Sequence, residues 1–542
     1  MSAKEQNQNA PPAAEKLNTK AAGIIGLAVM CSRVLGLIRE QVFAALFGGG
    51  RAMDAFTVAF RLPNLLRDLF AEGALSTAFV TTFTKTIARD GDESAWRLAN
   101  KVATLAAIFL SIVCLVCALA APLLISVLAP GFDAEKAELT VTLARIMYPF
   151  ILLVSLAALV MGMLNAKNVF GMPAMASSFF NLGSIVGGVS IGYAIDPTFG
   201  TPALVGLAIG TLIGGALQFA VQLPSLRKIG YRFRPDFQWR DAGVKAILVL
   251  MGPSVIAASS TQVNVLINSM FASTLGDGPI FWLAIAFRLM QLPLGVFGVA
   301  LGTVTLPLLS RLALAGNLSS FGTELARGMR LSMLLTIPST VGLMMLAEPI
   351  ISVLYRHGKF DAMQTAEAAG ALRYYALGLS AYAALKVLVN AFYAVDRRKT
   401  PMMVSFAAVG VNLLANWIFL FQLDLGHRGL ALATGCVAIG NFLLLYVLMR
   451  QHLGGLHTPK FLATLAKIGL ATTALAGVCW AGNLWFLAEW RTQSFWLTLG
   501  YLLATIVVAA VAFLGCALLL RIGELDDIVA AVRRRLGRRL VS

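Results

Sequence analysis

Residues 22–47 read AGIIGLAVMCSRVLGLIREQVFAALF. The run is longer than the ~20 apolar residues a helix needs to cross a bilayer. It nevertheless holds Arg33, Arg39 and Glu40 in its interior. Arg33 and Glu40 are seven residues apart, nearly two helical turns, so they share a face. A charge at mid-bilayer costs at least about 2.5 kcal/mol on insertion scales. The stretch therefore reads as a spanning helix with a polar stripe, and the fold must give that stripe something to face.

The rest of the chain extends this pattern. Of 542 residues, 58% are hydrophobic and 13% charged, and the mean hydropathy is +0.80. A soluble chain carries roughly twice that charged share. Fourteen spans can be placed, at 22–47, 53–87, 102–128, 140–164, 173–195, 203–223, 244–272, 281–310, 328–354, 370–395, 401–422, 429–449, 461–487 and 496–520. The longest polar interruption, from about Pro224 to Gly243, is too short for a soluble domain. Pro63, Pro149, Pro253 and Pro293 are expected kink sites. Residues 1–21 are polar and read as a disordered cytoplasmic segment. The apolar run that follows lacks a small-residue cleavage pattern and is expected to be retained as the first span.

An even number of spans puts both termini on one side. The loops and span ends on that side hold 27 Lys and Arg, and the opposite loops hold six: Arg51, Lys136, Arg356, Lys359, Arg428 and Arg491. The positive-inside rule makes the termini cytoplasmic. The net charge of +17 is thus a matter of membrane topology, and no nucleic-acid partner is expected. The basic tail, 521–542, reads as an anchor for anionic lipid headgroups, and the chain after Arg521 is expected to be dispensable for transport.

The chain also repeats itself. Phe60-Arg61-Leu62 returns as Phe287-Arg288-Leu289, 227 positions on. Ser126-Val127-Leu128 and Phe132-Asp133 return as Ser352-Val353-Leu354 and Phe360-Asp361. Ala166, Pro173, Met175 and Ser177 return as Ala394, Pro401, Met403 and Ser405. The offset divides the chain into six-span lobes, 22–223 and 244–449, with the same orientation and an axis along the membrane normal. Residues 461–520 form two appended spans. The expected fold class is an all-α polytopic membrane protein with fourteen transmembrane helices: two pseudo-symmetric six-helix lobes plus two C-terminal helices.

Charges inside spans need a reason to be there. Lys85, Arg145 and Lys467 lie near span ends, where long cations snorkel. Arg373 and Lys386 stay open. In the second span, Asp54, Arg61 and Asp68 recur every seven residues as one stripe; Glu72 lies a turn further, and Arg67 flanks the stripe. Arg288 opens the matching stretch of the second half with no carboxylate within four residues, and by the repeat it should face the same cavity as the first-half stripe. Structural ion pairs between packed helices and a hydrated cationic groove are both open readings. The excess of arginine favours the groove, with an anionic ligand. Phosphate suits it, because a guanidinium fork binds two oxygens at once.

Other chemistry finds little support. Cys114 and Cys117 form a C-x-x-C inside a span and read as small buried hydrophobes. His357, His427, His452 and His457 lie in unrelated loops. Asp90-Gly91-Asp92 reads as a solvated turn, and no phosphate-binding G-x-x-x-x-G-K-[ST] occurs. A membrane-embedded glycosyl- or phosphotransferase would need an acidic metal cluster, so no enzymatic site and no cofactor are expected.

Several motifs carry a family resemblance: Ser32-Arg33-Val34-Leu35-Gly36, Arg39-Glu40, Asp54-Ala55-Phe56, the run Phe60 to Leu75, Ala129-Pro130-Gly131-Phe132, Gln222-Leu223-Pro224, Arg288-Leu289, and Gly298 to Thr303. In these the sequence resembles the MurJ (MviN) family of the multidrug/oligosaccharidyl-lipid/polysaccharide exporter superfamily. The resemblance implies a flippase that moves lipid II, the undecaprenyl-pyrophosphate-linked peptidoglycan precursor, from the inner to the outer leaflet by alternating access. It implies functional roles for Arg33, Arg39, Asp54, Arg67 and Arg288, with Arg39 and Arg288 holding the pyrophosphate from the two lobes. Glu40, Arg61 and Asp68 are expected to support that cavity. It also implies that the last two spans form a groove for the polyprenyl tail, and that membrane lipids are partners, with cell-wall synthesis proteins as candidate partners.

Some relatives bind sodium through asparagine and aspartate in the second half. Asn412 and Asn416 have the one-turn spacing but no aspartate joins them, so buried amide pairing is the preferred reading over an ion site. The driving force is expected to be membrane potential or a monovalent cation. The alternative within the superfamily is a polysaccharide-unit flippase or a drug exporter, whose cavity would favour carboxylates and aromatics.

Overall fold

The computed structural model describes residues 19–68, 75–490 and 493–525. The readings made above for residues 1–18, Glu72, Arg491 and the tail beyond 525 lie outside these. The regular structure of the described residues is all helical, with no strand among them. The first half contains α1 (Thr19–Phe47), α2 (Arg51–Leu66), α3 (Leu75–Leu119), α4 (Ala121–Leu128), α5 (Ala134–Met147), α6 (Phe150–Ala166), α7 (Gly171–Ile195) and α8 (Leu204–Ala220), followed by the short α9 (Leu223–Lys228). The second half contains α10 (Ala242–Ser273), α11 (Pro279–Pro293), α12 (Val299–Leu314), α13 (Leu318–Met345), α14 (Ala347–Tyr355), α15 (Ala362–Leu377), α16 (Leu379–Ala394), α17 (Lys399–Trp417) and α18 (Gly426–Leu453). Last come α19 (Thr458–Trp485) and α20 (Phe495–Leu519).

Local chemistry sets many of the ends. Asp133, Asp241, Asn317 and Asp361 cap α5, α10, α13 and α15 by accepting first-turn N–H groups. Gly91, at φ 78°, breaks α3 between two helical runs where the D-G-D turn was expected. Pro149 separates α5 from α6, and Pro293 precedes a π-helical turn over Leu294–Gly298. Pro253, by contrast, lies inside an unbroken α10. Of the span read over 53–87, residues 69–74 lie outside the described residues; α2 and α3 are its described parts.

Ten helices or helix runs among the described residues are long and apolar enough to cross a membrane, or eleven if the bent pair Ala362–Leu377 and Leu379–Ala394 counts as one span. The stretches read as spans 22–47, 53–87 and 244–272 each include residues that this count leaves out, and the expected count of fourteen is not established. Large apolar side chains such as Leu115, Leu119, Val249, Val511 and Leu519 cover outer faces, as a lipid-facing surface requires.

Within the first half, α7 packs tightly on α8 because glycine meets glycine. A methyl on Gly206 would collide with Gly192, and one on Gly210 with Gly188. In the second half, α13 packs on α16, α11 on α15 and α15 on α18. α19 packs on α13 and α20, in a shared core of Phe321, Leu325, Phe461, Ile468 and Phe513. The two halves join in one further core, where Phe43, Phe56 and Tyr148 meet Phe281, Trp282 and Tyr355.

One expectation about the tail needs correction. Glu524 is buried and pairs with Arg330 of α13, also buried. Cutting the chain after Arg521 would strand Arg330 without its carboxylate, so the dispensable part can begin no earlier than residue 525.

Candidate functional site: a cationic cavity between the halves

The halves are clasped at one end. Asp54, on the first turn of α2, is fully buried. Its oxygens accept from the N–H groups of Gly278 (2.6 Å) and Phe281 (2.9 Å), at the N-terminus of α11. Those N–H groups have no partner within their own helix, so a carboxylate is well placed there. Lys136 of α5, equally buried, reaches Asp54 at 3.2 Å and Asp277 at 2.8 Å. Arg51 pairs with Asp133 at 2.5 Å and holds that carboxyl well below the usual carboxylate range. Lys359 donates to the carbonyls of Thr198 and Phe199, and Gln364 accepts from the N–H of Gly49. All these groups lie in or beside the loops that charge asymmetry places opposite the termini.

This arrangement corrects the reading of Asp54. Its carboxylate is engaged in the clasp and does not line the cavities that lie beyond it. The seven-residue stripe does not act as a unit either: Asp54 is in the clasp, Arg61 lies further along α2, and Asp68 meets Arg67 (2.9 Å) and Gln262 (3.4 Å).

Beyond the clasp lies a cavity of about 620 Å³. Arg33, Arg39 and Arg67 line it from the first half, and Arg288 and Lys386 from the second. No carboxylate lines it among the described residues; the other polar groups are neutral, among them Asn64, Asn181, Gln218 and Gln291. Lys386, left open by sequence, belongs to the site. Its signal was a lysine inside an apolar run, too common near span ends to decide alone. Arg373, the other open case, pairs instead with Glu348 at 2.8 Å.

Two arginine readings change. Arg33 and Glu40 do not pair along their helix. Arg33 approaches the π-helical turn, where a side chain on Gly295 would meet its guanidinium. Glu40 crosses to the other half, meeting Arg288 at 2.5 Å and accepting from the Tyr355 hydroxyl at 3.3 Å. Arg288 is therefore not the unpaired cation its own helix suggested, because its carboxylate comes from α1. Arg39 lies over the Phe180 ring, 5.1 Å from its centroid, with no carboxylate in ion-pair reach among the described residues. Arg61 and Arg288, the repeat-related pair, both line an adjoining cavity of about 170 Å³, as the repeat predicted.

Asn412 and Asn416 lie elsewhere in the second half. Both are buried, and both donate to the Asn268 side-chain oxygen, at 3.1 and 2.7 Å. Asn268 in turn donates to Thr434. This is the expected amide pairing between helices, without a carboxylate. No group of three or more His, Cys, Asp or Glu side chains among the described residues is placed to hold a metal. Cys114 is buried with its thiol against the Tyr148 carbonyl, and all six cysteines are free.

An all-helical membrane chain whose halves enclose a cationic cavity has the make-up of a transporter for anionic cargo. Comparison with known proteins gives the family. Residues 43–501 match the family described as Lipid II flippase MurJ, and the chain belongs to that family. A Burkholderia cenocepacia protein described as lipid II flippase MurJ is 36% identical over 457 residues, covering 83% of this chain and 87% of its own length. A Vibrio cholerae protein described as a probable lipid II flippase MurJ is 34% identical over 94% of this chain and 98% of its own. Among solved structures, a lipid II flippase MurJ in an inward closed conformation superposes with a TM-score of 0.74 at 26% identity, covering 93% of this chain and 99% of its own. An inward-facing multidrug resistance MATE transporter of the MOP superfamily shares the fold, at a TM-score of 0.63 and 16% identity over 80% and 95%.

Proposed function

We propose that this protein carries lipid II from the inner to the outer leaflet of the bacterial cytoplasmic membrane by alternating access. The single observation that supports this most is the 620 Å³ cavity, lined from both halves by Arg33, Arg39, Arg67, Arg288 and Lys386 and by no carboxylate among the described residues. A drug exporter for cations would gain nothing from such a lining. Moving a phosphate charge through bare hydrocarbon costs on the order of 20 kcal/mol by an idealised Born estimate. A hydrated guanidinium path removes most of that barrier.

In this reading the halves, 22–223 and 244–449, are two rocking lobes, and 461–520 forms the groove for the polyprenyl tail. The termini and the basic tail face the cytoplasm. The Asp54–Lys136 clasp closes the outer end while Arg39 and Arg288 take the pyrophosphate from the inner leaflet, with Arg33 and Arg67 beside them. Opening the clasp releases the headgroup outward while the tail stays in lipid. Moving an anion out of a negative-inside cell is downhill by about 2.3 kcal/mol per charge per 100 mV. Membrane potential therefore suffices as a driving force, and the neutral Asn268–Asn412–Asn416 cluster is assigned to helix packing.

The test is outer-leaflet accessibility of lipid II in cells depleted of this protein and complemented with variants. Arg39→Ala and Arg288→Ala should abolish accessibility at normal protein levels, and Arg39→Lys should impair it through loss of the fork. Normal accessibility in both alanine variants contradicts the assignment.

A further inference from the structure

Arg61 is the interior cation that the proposal above leaves without a task. Its Nε is buried and has no hydrogen-bond partner, and no carboxylate among the described residues pairs with it. The repeat makes it the counterpart of Arg288, and the comparison sharpens the contrast, because Arg288 has Glu40. A guanidinium inside a membrane bundle, with five N–H donors and no acceptor, is retained where an anion or water meets it.

Arg61 stands at a junction. It lines the 170 Å³ cavity, which shares Arg39, Phe60, Asn64 and Arg288 with the 620 Å³ cavity. It also lines a separate chamber of about 310 Å³, in the second half. Arg61 thus borders both the small cavity beside the pyrophosphate position and this chamber. That chamber is lined mostly by apolar side chains, with Asn264, Ser405 and Tyr375 as neutral polar groups among them. The Asn264 side-chain oxygen is buried without a partner. Amide and hydroxyl groups of this kind suit peptide amides and sugar hydroxyls, and the guanidinium at the entrance suits a carboxylate.

We infer that Arg61 receives a carboxylate of the headgroup's peptide portion, with the peptide seated in the 310 Å³ chamber while the pyrophosphate rests at Arg39 and Arg288. This rests on the lipid II reading. The consequence is specificity: two anionic groups on one headgroup are read at two stations. A polyprenyl pyrophosphate without the peptide fills only the first.

The experiment uses the full-length protein in nanodiscs and three probes: lipid II with free peptide carboxylates, lipid II with those carboxylates converted to amides, and undecaprenyl pyrophosphate. Wild type should bind the free-carboxylate form about tenfold more tightly than the amidated one, the scale of a charge-assisted hydrogen bond partly open to water. Arg61→Gln should lose that tenfold and leave the other two affinities unchanged; the unchanged pair also reports intact folding. Arg61→Lys should keep part of the preference. Equal loss for all three probes in Arg61→Gln, or no loss for any, overturns the inference. Failure of wild type to bind any of the three sinks the flippase reading itself, whereas binding of all three with no carboxylate preference sinks only the role of Arg61.

Discussion

At the scale of single residues, the site depends on which guanidinium groups already have an acidic partner. Arg39 has a ring beneath it and no carboxylate, while Arg288 is held by Glu40. Glu40 therefore competes with any anion that approaches Arg288. Replacing Glu40 by Gln should tighten the binding of a polyprenyl pyrophosphate roughly fivefold, since a half-exposed pair contributes at most about 1 kcal/mol. Isothermal titration of the purified variant checks this. Weaker binding would mean that Glu40 serves to position Arg288. The arginines were legible in the sequence because charges in apolar runs are rare and expensive. Their partners were not: Glu40 lies far from Arg288 along the chain, and periodicity within a helix says nothing about contacts between halves.

At the scale of elements, the N-terminus of α11 and the first turn of α2 form the clasp. A buried carboxylate that takes two backbone N–H groups and a lysine is costly to break on one side only. Lys136→Met should weaken the clasped state by about 3 kcal/mol, because it leaves Asp54 buried without its cation. Spin labels at the exposed positions Glu138 and Thr274, one in each half, should then report a population at longer distance. An unchanged distance distribution would remove the clasp from the transport cycle. Asp54 was legible as a charge in an apolar run but the clasp was not, because Lys136 and Asp277 lie far from it along the chain.

At the scale of the whole molecule, the repeat is visible in what the halves do for each other. Lys136 and Gln364 occupy equivalent positions after the Asp133 and Asp361 caps, and each reaches across, to Asp277 and to the N–H of Gly49. Arg61 and Arg288 meet at one cavity by the same relation. The two-half organisation was legible because a constant offset survives in sequence. The cavities that share these arginines were not, because volume arises from how helices from both halves diverge.

The most direct test is transport by the protein alone. Proteoliposomes holding only this protein and lipid II, with an inside-negative potential, should move the headgroup outward, and Arg39→Ala should fall to the rate of empty vesicles. Arg39→Ala transport at the wild-type rate, or no transport by wild type that binds lipid II, would contradict passage of the pyrophosphate through the cationic cavity.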